Sequence, residues 1–415
     1  MRQHARLDVL RHNGSRRRSR FLLRPGGEGG GRGSGFRLLR MTTSRLRQTV
    51  TELAADRFTG RRVGTAGGRA AAAWLGEQLR AIGATVTTDE FPVVVRELYR
   101  TPSLRLGERE LVHRRDFAEH LASADLPAPR TGELVTATAD RLGGRWVLAP
   151  DLGVSARATR DGAAGLLVPR GTDEAGWMPK MITGPPSGEL PVLAVRAELH
   201  RRLTTGESVT ASMPLRAVEV VGSNVHGRLR EPGEVDVLLT AHFDGVGDDP
   251  GQRLPAAADN ASGVAVVLEA ARQLTGSLPG GIGLAVAFLD AEEAGARGSA
   301  HHAPTVPSGT VVLNVDGAAR LGEAAAVEAG GPAHALLAAL DQAGRTTGVP
   351  LRAGAMPSDN RRYAAAGLAA AGIGMGMPGY QTPAETPDRV ETETLAAATR
   401  LVVAAVQELA RRARG

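Results

Sequence analysis

Three apolar runs of strand length, at 235–240, 283–289 and 310–315, each end in a cluster of imidazole or carboxylate residues, and that coincidence constrains the fold more than any other feature of the chain. The clusters are Ala241-His242-Phe243-Asp244, Asp290-Ala291-Glu292-Glu293 and Asn314-Val315-Asp316-Gly317. A fourth, Asp259-Asn260-Ala261-Ser262-Gly263, stands at the head of a helical pattern at 263–274. Further helical patterns follow near 333–343 and 395–412, with another strand candidate at 368–374. Strands that alternate with helices in this way predict an α/β sheet covered on both faces. In open sheets of this class the ligand site lies outside the carboxyl ends of the strands, so all four clusters can meet at one edge.

The rest of the chain divides by composition. Residues 1–42 carry Arg16-Arg17-Arg18 and Gly29-Gly30-Gly31 with no apolar period, and read as a disordered tail. From Thr43 a helical face of Leu46, Val50, Leu53 and Ala54 begins, followed by a second amphipathic stretch at 70–82 and a strand at 84–95. Between 96 and 220 the pattern shifts to short β-like runs at 146–149, 165–168 and 190–195, with a helix around 156–162. That segment is predicted to form a small β-rich insert, which leaves 43–95 and 221–415 as the main domain.

The net charge of +6 suggests nucleic acid until its location is considered. Eleven arginines face Asp8 and Glu28 within residues 1–40, so the remainder is mildly acidic. With three Trp, three Tyr and seven Phe in 415 residues, stacking platforms for bases are scarce, and neither a nucleic-acid nor a membrane partner is expected. No segment has signal-peptide character, which makes a cytoplasmic location the expectation. The chain has no cysteine, so disulfides and thiolate metal sites are excluded. Any metal must be held by His, Asp or Glu.

Taken singly, each cluster has an ordinary reading: a hydrogen-bonded core histidine, a helix cap at Asp259, Asn260 and Ser262, a solvated Glu292-Glu293 turn, or an Asp316-Gly317 turn. Together they supply neutral imidazole, several hard carboxylates and a spare carboxylate beside the metal. Neighbouring Glu292 and Glu293 leave an extended backbone in opposite directions, so one can ligate while the other takes a proton. Asp244, two residues after His242, can hold the second imidazole nitrogen.

The ordered set AHFDGVG, AAADNASG, FLDAEEAGARGS, LNVDG, PSDNRRYAAAG and GYQTPAETPDRV resembles the co-catalytic zinc peptidases, among them aminopeptidase Y, bacterial leucyl aminopeptidases, carboxypeptidase Q and glutamate carboxypeptidase. FTGRRVGTAGG is similar to that family's opening, and the stretch from GRWVLAPD to LPVLAVRAE is similar to its inserted protease-associated domain. The resemblance implies a mostly parallel mixed sheet sandwiched by helices. It implies one or two zinc ions, with His242, Asp259 and Asp316 on the first and Asp259 and Glu293 on the second. Glu292 would be the general base for a metal-activated water, Asp244 the partner of His242, and Tyr380 the oxyanion stabiliser. The implied reaction is hydrolysis of an N-terminal peptide or amide bond.

Two positions depart from the pattern, one of them Asn360, which stands where relatives often have the histidine of Ser-Asp-His. The family's Tyr-His motif reads Tyr380-Gln381 here, which leaves the second ion a weak amide oxygen. A one-zinc or metal-poor relative recruited to acyl transfer, as in glutaminyl cyclases, or to binding, as in the transferrin receptor, is the alternative. Arg361 and Arg362 are candidates to pair with a substrate carboxylate, and Met375 and Met377 to line a side-chain pocket.

Overall fold

Every residue from Ile282 to Leu289 is buried, a pattern that a strand shows when both faces of its sheet are covered. The computed structural model describes residues 32–181 and 188–414, and places that strand inside an eight-stranded mixed sheet. Numbered along the chain, the sheet contains β1 (Thr85–Leu98), β10 (Leu215–Arg230), β11 (Val235–His242), β12 (Ile282–Leu289), β13 (Val311–Val315), β14 (Ala325–Gly330), β15 (Leu351–Ala353) and β16 (Ala369–Gly374). Their order is β1-β10-β12-β11-β13-β16-β14-β15. The central strands β12, β11, β13 and β16 run parallel, so their carboxyl ends share one edge.

The helices are α1 (Arg32–Leu53), α2 (Ala66–Ala81), α3 (Ser155–Arg160), α4 (Ala197–His200), α5 (Ser262–Thr275), α6 (Arg297–His302), α7 (His334–Thr347), α8 (Asn360–Ala365) and α9 (Thr392–Arg412). Strand side chains alternate between faces. Val237, Leu239, Val286, Phe288, Leu313 and Ile373 pack with α1, α2, α5, α7 and α9 in one large core. Leu238, Ala285, Ala287, Leu289, Val312 and Ala370 face the other way, against Tyr363 of α8 and Leu368. The second face is covered by shorter helices, because α6 and α8 have six residues each.

Helix α1 begins at Arg32, which corrects the predicted tail at its inner end; residues 1–31 lie outside the described residues. Leu46, Val50 and Leu53 anchor the helix, and extending an existing helix avoids the cost of a new nucleus.

A second eight-stranded sheet is built from residues 103–213: β2 (Ser103–Leu106), β3 (Arg109–Glu110), β4 (Phe117–Glu119), β5 (Leu126–Thr136), β6 (Trp146–Leu148), β7 (Gly165–Arg170), β8 (Val192–Arg196) and β9 (Ser208–Met213). It is mixed, with β5, β6, β7 and β8 parallel and the remaining pairs antiparallel. Leu104, Trp146, Leu167, Leu193 and Val209 form its core. The β1–β10 ladder runs without a break from Thr85↔Arg228 to Leu98↔Leu215, across the expected boundaries at 95 and 220.

A buried ion cluster ties this segment to the loop after β11. Arg114 is fully buried and donates from Nε to Asp249 Oδ2 at 2.6 Å and from Nη1 to Glu119 Oε1 at 2.9 Å. Lys180 Nζ lies 3.1 Å from Asp249 Oδ1 and donates to the carbonyl of Gly247 at 2.8 Å. Burial opposes ionisation of Asp249, but Lys180 and Arg114 outweigh it and hold the carboxyl down at about 2. Replacing Arg114 with Met takes the guanidinium from Glu119 and leaves Asp249 with Lys180 alone, and denaturant unfolding should show a loss of about 3–5 kcal/mol. A loss below about 1 kcal/mol would mean that the cluster does not depend on its arginine.

Candidate metal centre

Strand β11 ends on His242, whose ring is completely buried beneath the ends of its neighbours. Its Nε2 lies 3.1 Å from Asp259 Oδ1 and 3.2 Å from Asp316 Oδ1. One donor atom from each of these three residues falls within 4.8 Å of the other two. The expected ligand triad is therefore assembled by the fold. On the far side of the ring, Nδ1 is 3.4 Å from Asp244 Oδ1 and 3.3 Å from the Asp244 carbonyl oxygen.

Asp244 has a second task that its spacing did not reveal. Its Oδ1 accepts the backbone N–H of Glu292 at 3.0 Å and its Oδ2 that of Glu293 at 3.2 Å. The turn between β12 and α6 is thus pinned to the imidazole's own partner. Ala291, inside that turn, has φ of +59°, and Ala256, ahead of Asp259, has φ of +52°. Left-handed alanines are strained, and here they flank the residues that the turns must aim.

Asp259 does not cap α5. Asn260 does, accepting the N–H of Gly263 at 2.9 Å, while the same amide oxygen takes Gly317 N–H at 3.0 Å and its nitrogen donates to the Val315 carbonyl. Ser262 Oγ donates to the Ala258 carbonyl and accepts Ala318 N–H. The Asp-Asn-Ala-Ser stretch thereby stitches the start of α5 to the end of β13, and Asp259 is left free to face His242.

Glu385 was not among the expected site residues, yet it accepts the N–H of Asp259 and that of Gln381, both at 2.6 Å. It stands four residues after Gln381 in the quoted GYQTPAETPDRV motif, and a carboxylate at that place in the motif was the signal available. Arg61, in FTGRRVGTAGG, was also missed. Its guanidinium is fully buried and spends its donors on the carbonyls of Phe243, Leu53, Pro255 and Ala256. Burial pulls its pKa down to about 10, with Glu385, Asp244, Asp259 and Glu293 opposing that fall.

The electrostatics match a cation at the centre. Burial pushes Glu292 and Glu293 well above the usual carboxylate range; Asp316, Asp359 and Asp259 raise Glu292 further, and Asp259 and Glu292 raise Glu293. Asp359, fully buried, is pushed up to about 7. Glu293 Oε1 is buried without a hydrogen-bond partner. Burial opposes protonation of His242, but Asp316, Asp244 and Asp259 outweigh it and push the ring's pKa well above the usual imidazole value. The crowded carboxylates thus call for positive charge, which a bound divalent ion would supply better than protons alone. The donor set, one imidazole and carboxylates, suits zinc.

Other expected residues are placed differently. Gln381, with φ of +53°, turns its amide nitrogen toward Glu293 Oε2 and donates a hydrogen bond, rather than presenting its oxygen as a ligand. Arg361 pairs with Glu328 through both nitrogens at 3.1 Å, and Arg362 donates to the Gly295 carbonyl at 2.9 Å, so both guanidinium groups are engaged within the fold. Met375 is a core residue, 2% exposed. Met377 packs over Gly317. Tyr380 is 46% exposed beside the cluster, and partial burial followed by the charge of Glu293 and Asp259 raises its phenol.

Solved structures that share the fold include the following three. A zinc aminopeptidase from Bacillus subtilis is 22% identical, with a TM-score of 0.68 over 88% of this chain and 94% of that one. An aminopeptidase from Aneurinibacillus sp. strain AM-1 is 19% identical, with a TM-score of 0.65 over 89% and 94%. A peptidase M28 precursor from Shewanella amazonensis is 17% identical, with a TM-score of 0.60 over 90% and 97%. No curated protein matches the sequence significantly. Residues 224–406, which hold every member of the cluster from His242 to Glu385, match the model of Peptidase family M28, and the resemblance to co-catalytic zinc peptidases read from the motifs is thereby confirmed.

Proposed function

We propose that the protein is a zinc-dependent aminopeptidase. The observation that carries this reading is the convergence of His242, Asp259 and Asp316 within 4.8 Å, next to a carboxylate, Glu292, whose pKa is raised by burial. Zinc held by the triad would supply Lewis acidity, polarising the scissile carbonyl and lowering the pKa of water from about 15.7 toward about 7.

The chain's own residues do the rest. Asp244 fixes the His242 ring, so the imidazole presents Nε2 to the triad. Glu292 is not one of the three convergent donors, and its raised pKa suits it to take a proton from water and return it to the leaving amine. The Tyr380 phenol stays protonated and can donate to the developing oxyanion. The preference for a free N-terminus follows from charge: the centre is rich in carboxylates that attract an ammonium group, and Arg361 and Arg362 are already committed to Glu328 and Gly295. Residues 96–220 would form a protease-associated-like insert that borders the cleft, where Lys180 N–H donates to the Gln381 carbonyl and Thr382 Oγ1 to Asp173.

Glu292→Gln should cut kcat on peptides with a free N-terminus by roughly a hundredfold or more while zinc content stays at the parent level. Substantial turnover by the purified variant, or equal cleavage of N-terminally blocked peptides by the parent, would overturn the assignment.

Gln381 bears on the number of ions. Its amide N–H occupies Glu293 Oε2 and leaves Oε1 as the open oxygen of that carboxylate, so a second zinc should bind more weakly than the first. Gln381→His offers imidazole at the same place and should add one zinc per chain by elemental analysis. If the parent's centre already holds two tightly bound ions, the amide does not weaken the second site.

A further inference from the structure

The loop that follows β7, residues 171–181, reaches across to the turn that carries Tyr380. Arg170 Nη2 donates to the Pro179 carbonyl at 2.6 Å and closes this loop at its base. At its tip, Asp173 Oδ1 accepts the N–H groups of Ala175 at 2.9 Å and Trp177 at 2.8 Å, so the carboxylate is locked into its own turn. The Arg115 guanidinium carbon lies 3.3 Å from the centroid of the Trp177 ring, and its Nη1 donates to the Ala175 carbonyl at 2.6 Å, which stiffens the tip further. The other oxygen, Oδ2, faces away from the loop and accepts the hydroxyl of the buried Thr382 at 3.0 Å.

We infer that Asp173 is a positioning residue for the reaction: through Thr382 it sets the turn that aims the Tyr380 phenol. The inference rests on the oxyanion role given to Tyr380 above. Tyr380 is half-exposed, so packing alone does not fix its ring, and its place depends on the backbone beneath it. That backbone is left-handed on both sides of Tyr380, at Gly379 with φ of +78° and at Gln381 with φ of +53°. A left-handed glutamine is strained and needs contacts that hold it. Thr382 spans the turn, its hydroxyl lying 2.6 Å from the Gly379 carbonyl and accepting the Ala384 N–H at 3.2 Å. One hydroxyl hydrogen is thus shared between the Gly379 carbonyl and Asp173 Oδ2, which joins the loop to the residue directly before Tyr380.

The other ties between loop and turn hold different atoms. Lys180 N–H donates to the Gln381 carbonyl at 2.9 Å, and this backbone contact survives any change of side chain at Asp173. Arg389 pairs with Glu174 at 3.0 Å, but Glu174 is 59% exposed and a solvated pair of this kind contributes little. Loss of the Asp173 contact should therefore shift Tyr380 while His242, Asp259 and Asp316 stay in place, because those residues stand on β11, just ahead of α5 and just after β13.

The test uses the full chain labelled with 3-fluorotyrosine. Its three tyrosines, Tyr99, Tyr363 and Tyr380, give separate fluorine signals, and Tyr380→Phe assigns the one that matters. Asp173→Ala should move the Tyr380 signal, leave that of the buried Tyr363, and lower kcat on peptides with a free N-terminus by about tenfold with KM changed less than about twofold. Combined with Tyr380→Phe, it should lower kcat no further. Asp173→Asn should recover most of the loss, since its Oδ1 still accepts from Ala175 and Trp177 while its Nδ2 can donate to Thr382 Oγ1. A Tyr380 signal that Asp173→Ala leaves unmoved, or an equal further loss of kcat in the Tyr380→Phe background, overturns the positioning role. A moved signal in a parent chain without peptidase activity overturns the proposed function instead and leaves the tie between Asp173 and Tyr380 standing.

Discussion

The architecture depends on holding many carboxylates together at one buried edge without letting their repulsion open it. Two of them act as anchors. Asp244 takes the N–H groups of Glu292 and Glu293, and Glu385 takes those of Asp259 and Gln381. Each anchor fixes a pair of residues by their backbone, which leaves the side chains of those residues free to face the centre. Paired hydrogen bonds into one buried carboxyl group, in a low-dielectric setting, hold loop geometry tightly. Arg61 adds a positive charge behind the cluster while bonding only to carbonyls, so it moderates the field without neutralising any one acid.

The second sheet matters to the centre through the loop that follows His242. That loop carries Asp249, which Arg114 and Lys180 grip from outside the first sheet, and it leads to the strained Ala256 and then to Asp259. Lys180 and Asp173 also meet the Gln381–Thr382 turn. Two of the loops that frame the cluster are thus held from both sheets. A buried ion pair gains little net free energy, but breaking it strands charge, so this contact specifies one arrangement of the loops rather than adding bulk stability.

The two faces of the first sheet divide the labour. The long helices cover one face and supply most of the core, whereas α6 and α8 cover the other incompletely. A groove lined by His226, His301 and His302 lies on that thinner side, where polar side chains from β1 and β10 can project without entering the main core. Gln381 shows the opposite situation: a buried side chain in a left-handed backbone, held at its N–H by Glu385 and at its carbonyl by Lys180, and therefore aimed at Glu293 with little freedom.

The sequence by itself determined the parallel strands of the first sheet and the position of His242, Asp259, Glu292, Glu293 and Asp316 at their edge. Those conclusions needed only local information, since an apolar run sets a buried strand and the next residues must emerge at its end. The tertiary structure alone decided how distant polar groups pair. The commitment of Arg361 to Glu328, the reach of Glu385 to Asp259 and of Arg61 to Phe243 and Pro255, and the meeting of Asp89, His226 and His301 join residues dozens to more than a hundred positions apart. A side chain's type and local period say which face it occupies, not which partner waits there. For buried charges the partner decides whether a residue is a ligand, an anchor or simply satisfied.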